Sequence, residues 1–197
     1  MRYLRFLLLF FISISIATSC KTLMSYVNVV KCDFRMESLK EPSIAGIDVS
    51  RIKSFSDLNF MQAGKITTSY LSGNIPLNFT INLEGKNPNT AEARMAQFDW
   101  ILKIDDVLIT TGTNQQEYVI PANEGKVIMP LKISVNLLDV LNNEAKDALL
   151  NFGLNLADAS GKPTRVSMQI KPTINVSGVP ITYPGYIDLG TEFGGEE

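Results

Sequence analysis

The feature that most constrains the fold is a period-two alternation of apolar and polar residues, which recurs in four stretches of the chain. Alternate residues of a β-strand point to opposite faces of a sheet, so each stretch predicts a strand with one buried and one solvated face. This pattern is typical of antiparallel sheets, because the strands of a parallel α/β core are apolar on both faces. The predicted buried stripes are Leu77, Phe79, Ile81 and Leu83; Phe98, Trp100, Leu102 and Ile104; Val127, Met129, Leu131, Ile133 and Val135; and Val166, Met168, Ile170, Ile174 and Val176.

Weaker alternation predicts further short strands, and turn-forming residues separate the strands from one another. The weaker strands are predicted at 26–36, 44–52, 107–111, 117–120 and 179–183. The pair Asp105-Asp106 predicts a tight hairpin. Gly112 and the run 121–125 are interpreted as turns. Pro180 and Pro184 predict that the last strand lies at a sheet edge, where a missing amide donor does little harm.

Two segments instead have the three-and-four spacing of an amphipathic helix. The first is predicted over 57–71 with Ser56 as its N-cap. The second is predicted over 137–152, with Asn136 as its N-cap and Gly153 at its end. Many short strands with one or two short helices predict a mostly β, two-layer antiparallel β-sandwich. This domain is predicted over 26–190, and 191–197 is predicted to be a flexible acidic tail.

The first twenty residues resemble the export signal of a bacterial lipoprotein. Arg2 and Arg5 precede an apolar run at 6–16 that is too short to span a bilayer, and small residues at 17–19 precede Cys20. A lipobox has this order, with leucine usual at the position of Ala17, and its cysteine becomes a diacylated N-terminus. The alternative is ordinary signal-peptide cleavage at the same bond. We favour lipidation because the chain has two cysteines and one of them occupies the required position.

This interpretation predicts a signal peptide over 1–19, a lipidated N-terminus and tether over 20–25, and attachment of the mature protein to a membrane through its acyl chains. Several acyl chains anchor a protein firmly, whereas one holds it reversibly. Lys21 follows the cysteine, and no acidic cluster occurs at 21–26. This is typical of a periplasm-facing lipoprotein, so we expect the protein in the bacterial cell envelope, at the outer membrane, with the inner membrane as the alternative.

The segment Leu83 to Asn89 reads Leu-Glu-Gly-Lys-Asn-Pro-Asn and resembles the type 2 late-embryogenesis-abundant family, whose module is the water-stress and hypersensitive-response domain. The order that follows is also similar: a strand, the Asp105-Asp106 hairpin, Ile120-Pro121-Ala122, another strand and a leucine-rich helix. The resemblance covers residues 75–183. It implies an immunoglobulin-like sandwich of the fibronectin type III kind and a role in desiccation or stress tolerance, and bacterial members of the family are often lipoproteins.

The trio Asn87, Pro88 and Asn89 has an interpretation that does not depend on the family. Pro88 fixes its own φ and holds Asn87 in an extended conformation. Asparagine side chains bond to neighbouring backbone groups in turns. We therefore interpret the trio as a structural element that ends a strand, rather than as a ligand site.

The composition excludes several kinds of chemistry. The chain has no histidine, so it lacks the commonest general base and any Ser-His-Asp or Cys-His arrangement. The adjacent Asp105 and Asp106 lack the spacing of a calcium loop. Cys32 falls in phase with neighbouring apolar residues and is predicted to be a buried core thiol rather than a nucleophile. A net charge of −2 gives no basic footprint for nucleic acid.

We therefore expect no enzyme, metal, cofactor or small-molecule substrate, and we favour two functions. The first is a non-enzymatic binding or stress-protective module, for desiccation or osmotic stress, held at the membrane surface. The second is a docking subunit of an envelope assembly or transport complex, whose edge strand at 179–183 accepts a strand of an envelope protein. A hydrolase is the third possibility, and the missing nucleophile–base pair argues against it.

Overall fold

The computed structural model describes residues 28–50, 57–141, 164–176 and 178–193. The elements in these residues are β1 (Asp33–Ile44), β2 (Ile47–Asp48), α1 (Phe60–Leu71), β3 (Pro76–Asn87), β4 (Ala93–Met95), β5 (Gln97–Ile104), β6 (Val107–Asn114), β7 (Tyr118–Ile120), β8 (Gly125–Asn136), α2 (Leu137–Leu141), β9 (Thr164–Val176), β10 (Val179–Thr182) and β11 (Ile187–Phe193). Residues 28–30 are also helical.

The strands form two main antiparallel sheets, which confirms the predicted mostly β sandwich. One sheet has the order β2-β1-β3-β8, and the other has the order β10-β9-β5-β6 with β11 also beside β9. β4 and β7 form a small two-stranded sheet. The four predicted apolar stripes supply most of a single core cluster between the sheets. Burial of these side chains is the main favourable term in the stability of such a domain.

β3 is the central strand of the first sheet. It pairs with β8 along its whole length, from Pro76 opposite Asn136 to Asn87 opposite Gly125. Its inward side chains are buried as predicted, and its outward residues Asn82 and Glu84 are each only 8% exposed. Side chains of the neighbouring strands form hydrogen bonds with both of these polar groups: Asn82 donates to Ser38, and Glu84 accepts from Arg35 and Lys126.

The hairpin predicted at Asp105-Asp106 is confirmed. Ile104 pairs with Val107, and both aspartates have positive φ angles, 48° and 66°. Two consecutive positive φ angles define the type I′ turn, whose twist matches that of the flanking strands. Asp105 is also joined to β9, because its N–H donates to the Arg165 carbonyl at 2.9 Å and its Oδ1 accepts from the Arg165 N–H at 2.9 Å.

The interpretation of Gly112 as a turn is wrong. Gly112 lies within β6, directly opposite Trp100 of β5. A Cβ atom at this position would lie 2.4 Å from Cζ2 of the indole and 2.7 Å from its Cε2. The absence of a side chain therefore lets the indole ring lie against the backbone of the neighbouring strand.

Three boundary predictions also need correction. Among the described residues, the strand predicted at 26–36 begins only at Asp33. Of the strand predicted at 44–52, the described residues show Ile44 as the end of β1 and the two residues of β2. The tail predicted from residue 191 is wrong for 191–193, which pair with 164–166 of β9 as the end of β11. Thr191 interrupts the apolar series of Ile187, Leu189 and Phe193, so this strand had only a weak signal in the sequence. Residues 194–197 lie outside the described part of the chain.

α1 begins later than predicted and makes little contact with the sandwich. Its N-cap is Asn59, not Ser56, and Asn59 forms a capping box with Gln62. No residue of α1 is buried, and Phe60 is 94% exposed. Asn136 caps α2 as predicted, accepting from the Leu138 N–H at 3.3 Å. The rest of the helix predicted over 137–152 lies outside the described residues.

Candidate functional site

Cys20 and the other residues of 1–27 lie outside the described part of the chain, so lipid attachment stays a prediction. None of the helices in the described ranges is long and apolar enough to cross a membrane.

The side chain of Asn87 is fully buried at the end of β3 and satisfies its hydrogen-bonding groups internally. Its Nδ2 donates to the carbonyl of Ala91 at 2.9 Å and to the carbonyl of Ile120 at 3.0 Å. Its Oδ1 accepts from the backbone N–H of Asn89 at 3.0 Å and from the Asn89 Nδ2 at 2.7 Å. Both donors and the acceptor of the amide are therefore occupied.

Asn89 extends this network to other parts of the chain. Its Nδ2 donates to the carbonyl of Asn28 at 3.0 Å, and its own carbonyl accepts from the N–H of Asn123 at 2.8 Å. The Asn87 carbonyl accepts from the N–H of Glu124 at 2.8 Å. The Asn87-Pro88-Asn89 trio thus joins the start of the described chain, the end of β3 and the loop before β8. The structural interpretation of the trio stays a prediction, and these bonds support it.

Cys32 lies beside the same network, and its predicted burial is confirmed. Its side chain belongs to the core cluster, with 6% of the residue exposed, and its Sγ donates to the Asn28 carbonyl at 3.2 Å. Burial, with a smaller contribution from the carboxylate of Asp33, raises the pKa of the Cys32 thiol to about 11. The thiol is therefore protonated at neutral pH, whereas a cysteine nucleophile reacts as the thiolate.

Glu84 is a largely buried carboxylate that two cations hold. Glu84, whose side chain is 10% exposed, lies 3.0 Å from Nε of Arg35 and 3.2 Å from Nζ of Lys126. The hydrogen bond from Arg35, more than that from Lys126, holds the pKa of Glu84 below its usual range, although burial acts in the opposite sense. Within the described ranges, no group of three or more His, Cys, Asp or Glu side chains is placed to hold a metal ion.

The structure also shows a groove that sequence reasoning missed. It has a volume of about 830 Å³ and lies between β6 and β8, which are the outer strands of the two sheets on that side. Among the described residues, its lining includes two carboxylates and no basic side chain. The lining residues are Asp106, Val107, Leu108, Ile109, Thr110, Ser134, Val135, Asn136, Asp139 and Val140. No motif marks this groove, because it arises from two strands that are not neighbours in the sequence.

The two ends of the sandwich differ in what they hold. The described chain begins beside Asn89, at the end where Asp33 pairs with Lys86. α1, the β5–β6 hairpin and α2 lie at the opposite end, where Ile44 pairs with Leu77 and the groove brings the hairpin to β8. A twelve-residue strand such as β3 separates the two ends by about 36 Å.

No protein-family model matches the sequence, and no curated protein matches it. Among solved structures, the chain is similar to a crystal structure of a protein from Archaeoglobus fulgidus, with 11% identity, a TM-score of 0.38, and coverage of 62% of this chain and 87% of that one. It is also similar to the solution structure of a putative late-embryogenesis-abundant protein, with 13% identity, a TM-score of 0.38, and coverage of 90% and 84%. A third similar structure, of a protein from Arabidopsis thaliana, has 12% identity, a TM-score of 0.38, and coverage of 81% and 76%. The structural neighbours thus include a putative late-embryogenesis-abundant protein.

Proposed function

We propose that this protein is a membrane-tethered, non-enzymatic binding or stress-protective β-sandwich of the bacterial envelope. The export signal ending at Cys20 and the family resemblance at Leu83 to Asn89 support this proposal. The observation that carries it is the position of Asn28, whose carbonyl is bonded to Asn89 at one end of the sandwich. Acyl chains on Cys20 would therefore hold the domain by that end, because residues 20–27 together span at most about 28 Å.

Such a tether leaves the opposite end of the sandwich free for contact. This free end carries α1, whose Phe60, Met61 and Leu71 are 94%, 76% and 78% exposed. Large apolar side chains that a domain leaves exposed together are typical of interaction surfaces. Two groups that a hydrolase could use are engaged otherwise, since Cys32 is a protonated core thiol and Glu84 is held between two cations. The proposed activity is therefore contact with other envelope components rather than bond making.

A docking subunit of an envelope assembly is the second candidate, and the exposed free end favours it. β10, which lies in the segment 179–183 predicted to accept a partner strand, is poorly suited to pair with one. The N–H of Tyr183 donates inward to the Pro172 carbonyl, so residues 180, 182 and 184 direct their backbone groups outward. Pro180 and Pro184 have no N–H, which leaves Thr182 as the outward donor of this edge.

Site-specific photocrosslinking in cells tests the orientation. A photoreactive residue is placed at Phe60 on the free end or at Val179 near the tether end, since both side chains are well exposed, at 94% and 60%. We expect protein adducts mainly at position 60, and we expect Cys20→Ser to abolish them by releasing the domain from the membrane. Equal adducts at the two positions, or adducts that persist in Cys20→Ser, would contradict the proposed tethering.

A deletion strain tests the stress-protective part separately. We expect lower survival after desiccation or osmotic shock, with rescue by the wild-type chain and not by Cys20→Ser. Unchanged survival of the deletion strain would remove stress protection and leave the binding role in place.

A further inference from the structure

We propose that β6 is the docking strand of this domain and that its free edge accepts an extended peptide segment of a partner protein, with alternating apolar side chains and at least one basic side chain. This inference rests on the proposed binding function and specifies its site. An extended peptide is recognised mainly by main-chain hydrogen bonds to a sheet edge, while alternate side chains enter adjacent pockets.

The register of the second sheet shows which groups β6 presents. The Asp105 N–H donates to the carbonyl of Arg165 on β9. Backbone hydrogen bonds of an antiparallel strand alternate between its two neighbours, so every second residue of β5, counted back from Asp105, bonds to β9. The residues between them bond to β6. The β6 residues opposite those intervening residues are Val107, Thr110, Gly112 and Asn114. Leu108, Thr111 and Thr113 therefore direct their N–H and C=O groups away from β5, and no described strand pairs with that edge.

The composition of β6 distinguishes it from other edges of the sandwich. Natural sheets protect an exposed edge with lysine, proline, very short strands or bulges. β10 has Pro180 at an outward position, and β2 is only two residues long. β8 bonds to β3 through its odd-numbered residues, since Leu137 N–H donates to the Ile75 carbonyl, and its outward positions include Lys126, Pro130 and Lys132.

β6 itself contains no charged residue and no proline. Its one protective device is a bulge at Ile109, where the register with β5 shifts next to the hairpin. From Thr110 to Asn114 the pairing is regular, and Leu108 beyond the bulge is 56% exposed. β-Branched and apolar residues of this kind favour strand pairing. The free edge of β6 is therefore better suited to pair with an added strand than the edges of β2, β8 and β10 are.

The groove beside β6 indicates the chemistry of the occupant. Its floor contains Val107, Ile109 and Val135, which suit apolar side chains projecting from an added strand. Among the described lining residues, the charged ones are Asp106 and Asp139, and Asp106 also pairs with Arg165 at 3.8 Å. The carboxylates still outnumber this one guanidinium, so a basic side chain on the peptide complements the groove better than an acidic one. We therefore commit to a basic, apolar-alternating segment of another protein, and a second copy of this chain becomes an outcome of the test.

The test is a titration of the mature, full-length ¹⁵N-labelled chain with a capped peptide of alternating valine and lysine, followed by NMR. We expect saturable shifts at the amides of Leu108, Thr111 and Thr113, together with slower hydrogen exchange there. A valine–glutamate peptide of the same length should bind more weakly. A valine–lysine peptide that is N-methylated at every residue should not bind, because it lacks the donors that pair with β6.

Proline variants test whether the peptide binds at the edge of β6 or at another sheet edge. Thr111→Pro removes an outward N–H without removing a bond to β5, and we expect the affinity to fall about tenfold. Ile128→Pro removes the equivalent outward N–H on β8 and serves as the matched control, with unchanged affinity expected. If Thr111→Pro loses its dispersed spectrum, Leu108→Lys replaces it, because a lysine at this exposed edge position repels the basic peptide.

Three results would overturn the proposal: shifts located on β8 or β10, equal binding of the glutamate peptide, or a dimer that forms through β6 without peptide. These results are independent of the acyl chains, because the titration requires only the folded domain. Failure of lipidation would remove the membrane tether and leave this test unaffected. Failure of the titration would leave the tether unaffected.

Discussion

Removing the buried amide of Asn87 tests the packing of the tether end. In Asn87→Ala, the carbonyls of Ala91 and Ile120 lose a donor, and the backbone N–H and Nδ2 of Asn89 lose an acceptor. Each hydrogen bond contributes a net of about 1 kcal/mol. The four bonds together predict a loss of about 4 kcal/mol in the free energy of unfolding, a large share of the total of about 5–15 kcal/mol for a domain.

The measurement is urea unfolding followed by the fluorescence of Trp100, the single tryptophan of the chain. All variants carry Cys20→Ser in the mature chain, so that acylation does not differ between them. Asn74→Ala is the matched control, because Asn74 is exposed, and a change within about 0.5 kcal/mol is expected. Asn87→Asp keeps the shape of the side chain and loses its two donors, so we expect a loss of about 2 kcal/mol or more.

The refuting result is an Asn87→Ala variant as stable as Asn74→Ala. The bonds of Asn87 would then contribute nothing net, and the structural interpretation of the Asn-Pro-Asn trio would be wrong. A large loss in Asn87→Ala with none in Asn87→Asp would show that side-chain volume matters and the amide donors do not.

Three further predictions concern the core and the charged network. Gly112→Ala places a Cβ against the indole of Trp100 and should lower the free energy of unfolding by about 1–3 kcal/mol. Gly64→Ala has open space in α1 and should raise the free energy of unfolding by up to about 1 kcal/mol. Equal effects of the two variants in urea unfolding would contradict the packing of Gly112 against Trp100. The pKa of Glu84 lies below its ordinary value of 4.5 in the folded state, so the stability that its carboxylate contributes is present above pH 4.5 and is lost as the pH falls through the folded value. The difference in stability between wild type and Glu84→Gln should therefore shrink over that range. A difference that stays constant with pH would refute this prediction. Cys32, with a pKa raised to about 11, should react with a thiol reagent at neutral pH only after unfolding, so rapid labelling of the native protein would contradict its burial.

The fold was predictable from the sequence where one periodic signal dominates. The stripe from Leu77 to Leu83 identifies β3 because the strand has one dry inner face, and the two adjacent aspartates identify the hairpin because they adopt positive φ. Predictions from local sequence failed where the role of a residue depends on a contact with a residue distant in the sequence. Gly112 resembles a turn residue in the sequence, and its role becomes visible only beside Trp100, on the neighbouring strand.

The surfaces available for contact were less predictable. The exposure of Phe60 could not be inferred from helical spacing, because an amphipathic pattern predicts a buried face and α1 has none. The edge of β6 could not be chosen over that of β10 without the strand order and the register. Pro180 did mark an edge correctly, but the same proline removes the donor that a docking strand needs.

The intact mass of the mature protein purified from membranes tests the central claim most directly, because the account depends on a sandwich held by its tether end. We expect a chain that begins at Cys20, carries the added mass of two or more fatty acyl chains, and is recovered in the membrane fraction. A chain that begins at Cys20 without fatty acid, recovered in the soluble fraction, would contradict it.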